Sequence, residues 1–177
     1  MIDLNRIYLI SDMPGYPAQI SRLLSMMNYV RCTTIETVQD LTIEQLDYLM
    51  DPQCNSIGAL LSHFAAVEYL YQAFTFEGRD LTEKEDERWG PALNLGDEGR
   101  MHIKGKDLNY YIDQMNEVRA VTLELFKTVG DDWLSIEEPF WHDKPANHYF
   151  KWFHVFEDEI NHRGQIRMIG KRARASV

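Results

Sequence analysis

Two histidines and an aspartate carry the chemistry this chain could do. In "FEDEINHRGQI", residues 156–166, Asp158 and His162 stand four apart, one turn of a helix, among aromatic and aliphatic neighbours. Val155, Asp158, His162, Ile166 and Ile169 form one stripe at near-helical spacing, and Phe153, Phe156, Ile160 and Gly164 form another. Both stripes read as buried, where a carboxylate is costly unless something compensates its charge and orients it. A divalent metal does both; an Asp158–His162 ion pair at the surface is the plainer alternative. His63 repeats the anomaly, lying with Leu60, Val67, Leu70 and Phe74 at spacings of three and four in "NSIGALLSHFAAVEYLYQAF". Alone, it reads as a core histidine hydrogen-bonded to a carbonyl. Together, His63, Asp158 and His162 supply three N and O ligands from separate helices, the set used by a catalytic zinc site with an open position.

Competing arrangements are weaker. His154, one turn before Asp158, is either an outer group of such a site or a histidine packed against aromatics. "DEINH" mimics the HExxH zincin pattern with its first histidine replaced, which would make Glu159 a general base; pairing of Glu159 with Arg163 one turn on is the simpler expectation. "EINH" matches one ExxH of a di-iron bundle, but no second ExxH occurs. His102, His142 and His148 fall in or near loops without ligand spacing. The chain has no phosphate loop, GxSxG elbow or CxxC pair.

Four helical segments must position these groups. The first opens after "PGYP", with Pro17 in its first turn, and runs to about Thr37 through Ile20, Leu23, Leu24, Met27, Val30 and Ile35. A short connector follows, with Thr42 and Gln45 spaced as a capping box. The second long helix starts at an Asn55 or Ser56 cap. The third runs from about Leu108 to Val129 behind Asp107 and is ended by Gly130. The fourth runs from near Asn147 to about Gly170. No sheet-like alternation, internal repeat or low-complexity tract intervenes. Residues 76–107 form a connection rich in charge and glycine, read either as an active-site lid or as a solvated excursion with a turn of helix. These elements describe an all-α, four-helix bundle with long crossover loops, one domain over 1–177.

The 177 residues carry 28 acidic against 18 basic side chains, a formal charge of −10, which argues against nucleic acid as partner. The one basic cluster, "GKRARAS", is expected to fray in solvent. Cys32 and Cys54 lack metal spacing and are too few for a disulfide scaffold, which suits a reducing, cytoplasmic compartment. No segment reads as a signal peptide or membrane span.

"NSIGALLSHFAAVEYL" followed much later by "WFHVFEDEINHRGQIRMI" resembles the DinB superfamily, the YfiT-like bacterial metal-binding proteins, and "HRGQI" is the most specific block. The resemblance covers most of the chain. It implies one metal histidine in the second helix, matching His63, and two ligands in the last, matching Asp158 and His162. Asp158 stands where histidine or glutamate is usual, and Asn161 where a second histidine often precedes the ligand. The resemblance further implies a homodimer acting on a small-molecule substrate, with a divalent metal (Zn or Ni first) and a low-molecular-weight thiol cosubstrate. His154 and Trp89 would shape the pocket. The expected activity is thiol transfer to a small electrophile; metal-assisted hydrolysis is the enzymatic alternative, and a non-catalytic dimeric binding module the other.

Overall fold

A computed structural model describes residues 4–176, which are mostly helical. Four long helices dominate: α1 (Ala18–Val38), α3 (Ile57–Gln72), α6 (Leu108–Phe126) and α7 (His148–Ser176). The short helix α2 (Ile43–Leu46) follows α1, while α4 (Glu83–Asn94) and α5 (Gly96–His102) lie between α3 and α6. A two-stranded antiparallel ribbon, β1 (Glu137–Pro139) with β2 (Pro145–Asn147), precedes α7 and pairs Glu138 with Ala146.

The caps explain the starts. Ser56 and Asp107 accept from Ala59 and Tyr110, and Thr42 closes the expected capping box with Gln45. Such side chains satisfy amides that the first turn leaves free. α3 is buried nearly all round because it packs against α6 on one side, α7 on another and α4 on a third. It ends in a π-turn over Ala73–Glu77, stopped by Gly78 at φ 62°. Gly58 is the point of closest approach to α6: a Cβ there would stand 2.5 Å from the Tyr111 hydroxyl.

Two apolar clusters fill the interior. One gathers Leu60, Phe64, Trp89, Tyr111, Met115 and Ile166; the other gathers Leu23, Met27, Phe126, Trp152 and Phe156. Within the core lies a charged group. Arg31 on α1 donates to Glu159 on α7 and Glu68 on α3, and Arg119 on α6 donates to Glu68 at 2.6 and 3.0 Å. Thr122 also donates to Glu68 at 2.7 Å. Each carboxylate thus faces a guanidinium and each charge is compensated, which burial requires.

Several expectations change. Within residues 76–107, α4 and α5 take up most of the expected loop, and Thr82 and Glu85 form a capping box at the start of α4. Glu159 pairs with Arg31 across the core, and Arg163 donates to Val30 and Thr33 of α1, so the Glu159–Arg163 pair does not form. α6 ends at Phe126, and Gly130, at φ −94°, starts a 3₁₀ turn instead of closing the helix. The basic tail does not fray: α7 runs through Ser176 because Gly170 and Ala173 are buried.

Candidate metal centre

His63 comes from the middle of α3, while Asp158 and His162 come from successive turns of α7, on the face of α7 turned to α3. Their ligand atoms lie within 4.8 Å of one another. His63 Nε2 is 3.1 Å from Asp158 Oδ2, and His162 Nε2 is 3.5 Å from Asp158 Oδ1. The two imidazoles meet edge to face, with centroids 5.1 Å apart and planes at 86°.

The hydrogen bonds behind this cluster decide what it can hold. His63 Nδ1 is 2.8 Å from the Ala92 carbonyl of α4, and a carbonyl only accepts, so Nδ1 carries the hydrogen. Neutral His63 therefore turns the lone pair of Nε2 toward Asp158. His162 Nδ1 likewise donates to Gln165 Oε1 at 3.2 Å, which leaves its Nε2 lone pair facing the same carboxylate. Asp158 Oδ2 is buried without a hydrogen-bond partner. Three sets of lone pairs converge with no donor between them, an arrangement that repels unless a proton or a cation fills it. The donor set of two imidazoles and one carboxylate suits a divalent ion, and a carbonyl bonded to the far ring nitrogen, as Ala92 is to His63, fixes the tautomer. The residues therefore fit a metal.

Burial pushes the Asp158 carboxyl up, but when a proton enters the cluster, a protonated His63 donating to it and the charge of a protonated His162 or His154 outweigh burial and hold it below the usual carboxylate range. The Tyr71 phenol is raised, first by burial and then by the charge of Asp158. Tyr71 lies two turns beyond His63 on α3. Sequence reading passed over it; its signal was the i, i+4, i+8 series His63, Val67, Tyr71. The Ala92 carbonyl, a backbone atom, has no such signal.

The two residues expected to shape the pocket are not among the three that converge. His154 does not join the cluster: it bonds Glu157 at 3.0 Å, meets Trp141 edge-on at 5.1 Å and lies parallel to Phe150 at 6.2 Å. Trp89 is buried, stacked on Tyr69 at 5.2 Å, and lines a cleft of 340 Å³ with Ser62, His102 and Lys106 that none of the three ligand residues borders. The Arg31, Glu68, Arg119 and Glu159 group was not anticipated, since charges on helices read as solvent-facing.

No helix among the described residues is long and apolar enough to cross a membrane. The family model for mycothiol-S-transferase matches residues 22–174, most of the chain, and spans both helices of the cluster. The chain belongs to this family, part of the DinB/YfiT-like superfamily. No curated protein matches the chain.

Proposed function

We propose, from this family membership, that the protein is a metal-dependent thiol S-transferase of the DinB type. It would be a single four-helix-bundle domain that joins a low-molecular-weight thiol to a small electrophile. His63, Asp158 and His162 would hold the divalent ion, zinc or nickel first. The observation that carries this reading is the buried, unpartnered Oδ2 of Asp158 facing the lone pair of His63 Nε2 at 3.1 Å.

Each residue then has a defined task. The Ala92 carbonyl and Gln165 Oε1 keep hydrogen on Nδ1 of His63 and His162, so both rings present Nε2. Asp158 reduces the net charge of the occupied site. A divalent ion held by these residues would make a thiol more acidic and so raise the thiolate fraction near neutral pH. Phe64 lies against His162, with centroids 6.3 Å apart, and gives the ligands one apolar wall.

A homodimer in the cytoplasm remains part of the proposal on family grounds, and light scattering tests the first part. The deciding experiment is elemental analysis of protein purified without an affinity tag, followed by thiol consumption against a panel of electrophiles. The reading expects one metal per chain and turnover that requires thiol. Turnover without thiol identifies a hydrolase, and absence of metal with unchanged folding of His63→Ala and His162→Ala identifies a binding module.

A further inference from the structure

The chain carries a formal charge of −10, yet one cleft has the opposite balance. It is the cleft of 340 Å³ that Trp89 borders, between α3, α4 and the start of α6, and its lining sets Arg88, Lys104 and Lys106 against the single carboxylate of Glu87. None of these cations pairs with a carboxylate among the described residues. Like charges gathered without counter-charges create a local positive potential, which attracts anions.

Local contacts hold the cations in place. Arg88 lies over Trp89, 4.7 Å from the ring centroid, and Lys106 lies over Tyr110 at 5.2 Å. Between the two lysines, the Gly105 amide donates to Asp47 Oδ2 at 2.7 Å, with Gly105 at φ 70°, so the loop from α5 to α6 is tied to the end of α2.

The inner wall carries two polar groups that nothing in the chain satisfies. Ser62 on α3 is only 3% exposed, and its hydroxyl makes no hydrogen bond among the described residues. On α6, the Oε1 of Gln114 is buried and equally without a partner. A buried polar side chain costs free energy until something bonds it, and both of these line the cleft. Ser62 can donate to an anion, while Gln114 Oε1 needs a donor such as a hydroxyl beside that anion.

The cleft is separate from the three ligand residues but shares their support. Ser62 immediately precedes His63, and Ala92, whose carbonyl accepts from His63 Nδ1, forms part of the wall. An occupant therefore sits behind His63, on its Nδ1 side.

We propose that this cleft binds a small hydroxylated organic anion, a carboxylate or a phosphate ester, whose charge meets Arg88, Lys104 and Lys106 while it accepts from Ser62 and donates to Gln114. The site goes beyond the transferase reading and needs neither metal nor thiol.

Isothermal titration at about 0.15 M salt, where loose surface attraction is screened, tests binding of glycerate and of glycerol phosphate, with glycerol as the uncharged control. The wild-type chain is expected to bind at least one anion with a Kd of about 1 mM or tighter, and not glycerol. Binding of glycerate alone identifies a carboxylate site, and of glycerol phosphate alone a phosphate-ester site. Ser62→Ala is expected to weaken binding by about 10-fold, one hydrogen bond to a charged group. Lys104→Ala combined with Lys106→Ala should weaken it by about 5-fold. Lys171→Ala, which removes an exposed charge outside the cleft, and His162→Ala, which alters the metal centre, should leave it unchanged. Circular dichroism confirms folding of each variant. The proposal is overturned by binding of neither anion, by equal binding in the double lysine variant, or by loss of binding in His162→Ala, which would put the anion on the metal.

Discussion

Asp158 and Glu159 are consecutive residues that point to different partners: Asp158 to His63 of α3, and Glu159 to Arg31 of α1. Neighbours on a helix differ by about 100°, so the depth at which Glu159 engages Arg31 sets the rotation at which Asp158 and His162 face His63. Breaking the core pair is expected to cost about 3–5 kcal/mol, because Arg31→Met leaves Glu159 buried and uncompensated. Urea denaturation measures the loss. The folded fraction should retain weaker metal binding than the wild-type chain.

Loss of either ring nitrogen should empty the site without unfolding the protein. His63→Ala and His162→Ala are expected to reduce bound metal from one per chain to near zero, read by elemental analysis. Asp158→Asn removes the charge but keeps the shape, and is expected to weaken binding by about 10-fold or more, at the scale seen for altered metal-site partners. Retention of stoichiometric metal in all three variants would remove the site.

Acid should unfold the protein partly through Glu68. Burial raises this carboxyl, but Arg119 and Arg31 together outweigh burial and lower it below its ordinary value. A lowered folded-state value means that the unfolded chain binds more protons, so the stabilisation is present above the unfolded carboxylate value of roughly 4.3 and is lost as pH falls through the folded one. Glu68→Gln should flatten the fall in stability below about pH 4.3, in urea melts taken at stepped pH, while lowering stability at pH 7.

Gly58 gives a test with an inverted sign. In an ordinary helix interior, Gly→Ala gains up to about 1 kcal/mol. Here the new methyl would stand 2.5 Å from Tyr111 Oη and 2.7 Å from Cζ, and Tyr111 is fully buried. Gly58→Ala is therefore expected to destabilise by about 1–3 kcal/mol, with partial recovery when Tyr111→Leu is added. Thermal denaturation of the single and double variants decides it.

Trp89 separates stability from the metal. Its ring is buried against Tyr69 and away from the cluster, so Trp89→Ala should cost about 3–5 kcal/mol and leave the metal content per folded chain unchanged.

Much of this was legible beforehand because helix periodicity and caps are local. The caps at Ser56, Thr42 and Asp107 stood in the sequence, and so did the spacing that brought Asp158 and His162 onto one face. The partner of Glu159 was not legible: spacing along a helix offers Arg163, whereas Arg31 lies 128 residues away and is chosen by packing. The α4 helix was hidden because its first turns are charged and only Trp89, Gly90 and Ala92 are buried, too few to give a stripe. Its capping signal, Thr82 with Glu85, was present and outweighed by composition.

Arg31 also bears on how the chain is made. From α1 its guanidinium touches Glu68, Glu159 and the Met115 carbonyl, one partner on each of the other three long helices. Glu159 is the last of these to leave the ribosome. Until it does, Arg31 and Arg119 have only the Glu68 carboxylate to share in a dry interior, one negative charge for two positive ones, and α1, though synthesised first, is expected to dock last.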